Sequence, residues 1–182
     1  MSGIAEALYA AADICGDDRY VGAADEALDY ELEAFTRYRD RFGTWADLRD
    51  FPPKKYMHGY CAGAPGTGIM VRRMMDAGHG GERARALAER ARRIVDGLPL
   101  NSYDHLYCGN AVIAEYYLAV ADHEAAGRVL GALLERRRRE GEYRDAYSAS
   151  SGQVSASLFN GICGIGYEIL CYARPHDMPS VL

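Results

Sequence analysis

Apolar positions recur at three- and four-residue steps along nearly the whole chain. Between Glu82 and Leu98, the residues Ala84, Leu87, Ala88, Ala91, Ile94, Val95 and Leu98 form one stripe, with Arg and Glu between them. The stretch from His123 to Arg139 repeats the pattern with Ala126, Val129, Leu130, Leu133 and Leu134. A single stripe predicts an outer helix that covers a core from one side. Three other segments, Ile4 to Cys15, Ala111 to Ala121 and Ile162 to Ala173, are apolar on nearly every side. That predicts inner helices, enclosed by neighbours. No sustained two-residue alternation occurs, so no sheet is expected.

The inner segments share a glycine pattern. "GAPGTGIMVRRMM" and "GICGIGYEILCYA" both read Gly-x-x-Gly-x-Gly before a helix, so that Gly63, Gly66 and Gly68 match Gly161, Gly164 and Gly166. "CGNAVIAEYYLAV" and "SGIAEALYAAADI" are weaker echoes. Inner and outer elements alternate and the last is inner, which predicts an all-α stack of helical hairpins, an α/α arrangement. The glycines permit close approach and leave backbone N–H groups free at helix starts. A dinucleotide fingerprint needs a preceding strand and the opposite glycine order, so that reading is set aside.

With 182 residues, the expectation is a single domain spanning 1–182 with a sizeable core. Apolar residues make up 49%, charged residues 26%, and the net charge is −5, a balance that predicts a soluble protein without general affinity for nucleic acid or anionic lipid. No apolar run reaches the roughly 18 residues of a membrane span. The opening "MSGIAEALYA" lacks the basic start of a secretion signal. Five cysteines, at 15, 61, 108, 163 and 171, follow no disulfide framework, so a reducing cytoplasm is expected.

Candidate chemistry gathers where the glycine motifs meet cysteine. "YCAGAPGTGIMVRRM" resembles the Trp-Cys-x-Gly-x-Pro-Gly-x-Gly signature of the lanthionine synthetase cyclases. "DHLYCGNAVIAEYYL" resembles their second metal motif, Cys-His-Gly or Cys-Cys-Gly. "SLFNGICGIGYEILCYARPHDMPSVL" resembles the end of the cyclase domain in the two-function synthetases, and "ALDYELEAFTRYRDRFGTWADLRD" resembles the outer helix and turn before the first cysteine motif. The resemblance implies an α/α toroid with zinc at one mouth, and a reaction. Zinc would deprotonate a peptide cysteine thiol, which adds to a dehydroalanine or dehydrobutyrine to close a thioether ring.

The chain departs from that pattern in three ways. Its length corresponds to about the last half of a family toroid; the other half would carry a histidine usually assigned the acid role. Such a half-toroid is expected to leave apolar edges for a partner chain or a second copy to cover. The resemblance makes Cys61 and Cys108 metal ligands, but Tyr107 stands where the remaining cysteine belongs, and a phenol is a poor zinc ligand. His58 and His105, each three residues before a cysteine, are the candidates for a third ligand. Third, Ala62 replaces a Tyr or His that would serve acid–base chemistry.

Other features have plainer expectations. Cys15, Cys163 and Cys171 are expected in the core. Arg136 to Arg139 is expected to be a solvated helix end, and Glu142 to Ser157 a solvent-facing loop. Asp104 either orients a ligand from behind or caps the next helix. The chain therefore reads as a shortened, ligand-depleted copy of a zinc-dependent peptide cyclase. The alternative is a non-catalytic module that binds a peptide or a partner synthetase.

Overall fold

The computed structural model describes residues 1–38, 58–145 and 153–182. Residues 44–50 of the expected turn and 146–152 of the polar loop lie outside them. The described residues form seven helices and no strand. Helical periodicity without two-residue alternation thus produced the expected all-α chain. Among the described residues, no helix is long and apolar enough to cross a membrane.

The chain folds into two compact units, one of Met1–Met57 with Ala62–Gly97, the other of His58–Cys61 with Leu98–Leu182. The first unit holds α1 (Ser2–Cys15), α2 (Asp18–Tyr38), α3 (Ala64–Asp76) and α4 (Gly81–Asp96). Successive helices pair as hairpins, α1 with α2 and α3 with α4, while α1 also meets α3 and α2 meets α4. Leu28, Ile69, Val71, Met74, Leu87 and Val95 fill the space between them. A polar rivet crosses this core. The carboxylate of Glu31 on α2 accepts from the hydroxyl of Ser2 on α1 at 2.5 Å and from that of Thr67 on α3 at 3.1 Å. Because the carboxylate is buried, those bonds replace the water it lost.

The second unit holds α5 (Asn110–Ala119), α6 (His123–Glu140) and α7 (Ile162–Ala173). α5 and α6 form a hairpin, and α7 packs on both. The side chain of Asp122 starts α6 by accepting from the Ala125 N–H at 3.0 Å. Of the three apolar segments, only α5 is enclosed, being buried from Asn110 to Tyr117. α1 instead exposes Ile4 and Ile14, the latter 85% accessible, and α7 exposes Ile162 and Leu170. The all-round apolar pattern predicted enclosure for these two as well. Within its unit each packs only part of its circumference, leaving Cys15 and Cys163 exposed rather than in the core. Cys171 is buried, as expected.

Candidate functional site

Three sequence motifs converge in the second unit. The residue before Cys61 and the residue before Cys108 are joined by a backbone bond, Tyr60 N–H donating to the Tyr107 carbonyl at 2.8 Å. Tyr107 N–H in turn donates to the Phe159 carbonyl at 2.9 Å. Short loops from the two cysteine motifs and the last glycine motif are therefore laced together by main chain alone.

Two glycines make this lacing possible. A Cβ on Gly59 would lie 2.6 Å from the Cys108 sulfur and 2.9 Å from the Tyr107 carbonyl oxygen. One on Gly164 would lie 1.9 Å from the Leu158 carbonyl oxygen. Neither position can carry a side chain without moving backbone. The glycines at the start of α7 thus seat its first turn on the preceding loop.

Cys61 is exposed and Cys108 half-buried, and neither forms a disulfide. Burial pushes the Cys108 thiol up to about 11, and the nearby Cys61 sulfur adds to the shift. The two sulfurs are thus near enough to act on each other. Unaided, Cys108 stays protonated at neutral pH and is a weak nucleophile.

His105 belongs to the frame of this corner. Its Nδ1 accepts from the Cys108 N–H at 3.3 Å, and its ring also bonds the Phe159 backbone. Desolvation holds its pKa below the usual histidine value, against the weaker raising effects of Phe159 and Asp145. His58 is half-buried on the same short segment as Cys61. Among the described residues, no three His, Cys, Asp or Glu side chains come together to hold a metal ion.

Behind Cys108 lies a polar frame that the sequence did not announce. Asn101 Nδ2 donates to the Cys108 carbonyl at 2.6 Å. Asn110 Oδ1 accepts from the Asn101 N–H at 2.6 Å, and Asn110 Nδ2 donates to Asp104 Oδ1 at 3.0 Å. Asp104 is 1% exposed; it also accepts from the Arg144 N–H at 3.0 Å and pairs with the Arg136 guanidinium. Arg136 further donates to the Asn101 carbonyl at 2.9 Å.

Arg136 is therefore a half-buried strut and not part of a solvated helix end; only Arg137 to Arg139 keep that character. Asp104 does not cap α5, whose N-cap is Gly109. At the described ends of the polar loop, Glu142, Gln153, Val154, Ala156 and Ser157 face solvent as expected, and one residue turns inward. Asp145 is fully buried and accepts from the Ser155 N–H at 2.6 Å, while Asp104 N–H donates to the Arg144 carbonyl at 2.7 Å. The buried partner of Arg136 could not be identified from sequence, because helix-end arginines usually face water.

No curated protein matches the chain. The sequence profile of the lanthionine synthetase C-like protein family matches it from residue 1 to residue 182. With its helical hairpins and its two cysteine motifs laced at one corner, the chain belongs to the lanthionine synthetase C-like family.

Proposed function

We propose that this chain is a ligand-depleted relative of the peptide-thiol cyclases that binds a peptide or a partner synthetase, and is not a self-sufficient catalyst. One observation carries the reading: the corner that gathers Cys61 and Cys108 supplies two thiols and, among the described residues, no third donor. Two thiolates and water make a weak zinc site. His105 is occupied by backbone on the side facing Cys108. Ala62 offers no proton where the resemblance expects Tyr or His. The free cysteines suit a reducing cytoplasm.

The retained sulfur pair also supports a second reading, in which another chain completes the site and restores ring formation. Metal analysis separates the two. Protein prepared with excess zinc and dialysed against a mild chelator is expected to keep far less than one equivalent. Tyr107→Cys, which restores the cysteine of the family motif, is expected to raise retention, and Cys61→Ala to abolish that gain. One tightly held equivalent in the unaltered chain, lost in Cys61→Ala, would establish the catalytic reading instead.

A further inference from the structure

A second cluster in the same unit has no part in the thiol corner. Glu115 on α5 and Glu168 on α7 are the only charged residues of their helices. They are 3% and 1% exposed, on helices that pack against each other. Two carboxyls buried side by side repel when both are charged and have no water to screen them, so the pair favours holding a proton. Glu168 Oε1 is buried with no hydrogen-bond partner among the described residues. Desolvation, reinforced by Glu115, pushes Glu168 up to about 9.

The segment after α7 folds back over this pair. Ser180 Oγ donates to Glu115 Oε1, and Leu182 N–H donates to Ser180 Oγ at 3.2 Å. The Pro179 carbonyl accepts from the Tyr167 hydroxyl at 2.8 Å, with the Cys171 sulfur 3.8 Å away. Leu182 is 3% exposed, whereas Pro179 and Ser180 lie at the surface. The segment is thus a thin cover held by a few hydrogen bonds and one apolar side chain.

We propose that residues 178–182 form a strap that stays closed while the buried Glu115–Glu168 pair holds a proton and is released when that proton leaves. One proton leaves to solvent in the step. Two adjoining carboxylates then repel, and the unpartnered oxygen of Glu168 needs water. Helices α5 and α7 are held by packing, so the strap is the element that yields.

The groups around the pair are consistent with this. Glu115 faces Glu168 from α5, and Cys171 and Tyr167 titrate beside it on α7. His176 and Asp177, leading into the strap, are exposed. α6 meets α7 where Gly127 lies against the Tyr172 phenol. Opening would uncover the Cys171 thiol.

Amide hydrogen exchange tests the proposal. The protection factor of the Leu182 amide, corrected for intrinsic exchange, is measured between about pH 5.5 and 8.5 in the full chain. Release of one proton on opening predicts a loss of about tenfold per pH unit. Glu168→Gln keeps the shape without the titration, so protection should become flat in pH. If Glu168→Gln fails to fold, Glu168→Met, which also removes the titrating carboxyl, serves the same purpose. Protection independent of pH in the unaltered chain, or an unchanged slope in the variant that folds, overturns the proposal.

Discussion

Asp104 and Glu168 are both 1% exposed carboxylates in the same unit, and the fold treats them in opposite ways. Asp104 receives a guanidinium, an amide N–H from Asn110 and a backbone N–H from Arg144. Glu168 has another carboxyl beside it, and one of its oxygens has no hydrogen-bond partner among the described residues. The first arrangement fixes charge in place and makes a rigid frame behind Cys108. The second keeps charge out by retaining a proton. Burial alone therefore says little about a carboxylate; its partners decide whether it is a strut or a titratable joint.

The largest expected effect comes from removing the partner of the strut. Arg136→Met leaves Asp104 buried and unpaired, which should cost about 3–5 kcal/mol in denaturant unfolding. Replacing both, as Asp104→Leu with Arg136→Met, should recover much of that loss. A double variant no better than the single one would show that the frame's hydrogen bonds outweigh its charges.

Glu168→Gln should act in the opposite direction, with a sign that depends on pH. The folded-state pKa of Glu168 is raised to about 9, above the roughly 4.3 of a free glutamate. Its contribution is fully present below the unfolded value and is lost as pH rises through the folded one. Stability of the unaltered chain should therefore decline across that window, by up to about 1.4 kcal/mol per pH unit for a single proton. The glutamine variant should lose this slope in urea titrations at successive pH values. An unaltered chain equally stable at pH 5 and pH 8 would remove the contrast with Asp104.

The smallest effect belongs to the latch. Ser180→Ala deletes one hydrogen bond to Glu115, worth about 1 kcal/mol. Measured by thermal unfolding at neutral pH and at about pH 10, the loss should be larger at neutral pH, where the pair holds its proton and the strap is closed.

Much of the fold was legible because helical periodicity is a local property. The stripes at Ala84 to Leu98 and Ala126 to Leu134 became the outer helices α4 and α6. The glycine motif around Gly161 and Gly164 foretold a close approach, and the clash at Leu158 gives its reason. Enclosure was less legible. Ile4 to Cys15 and Ala111 to Ala121 have similar apolar patterns, yet only the second is surrounded. How many neighbours a helix acquires is a tertiary fact that its own sequence does not encode.

The same holds for the sites. Cys61 and Cys108 were found through motifs, and main-chain bonds between their neighbours bring them together. The Asp104–Arg136 pair joins positions far apart in the chain, with no pattern to flag it. Glu115 and Glu168 did leave a signal: each is a lone charge on an apolar helix, a placement that is costly unless the charge is paired or protonated.

The central claim is that the sulfurs of Cys61 and Cys108 share one corner. A short bifunctional alkylating reagent, with the linked peptides mapped by mass spectrometry, tests it most directly. The account predicts a dominant Cys61–Cys108 cross-link in folded protein that disappears on denaturation. Both cysteines singly alkylated, with no link between them in the folded chain, would contradict it.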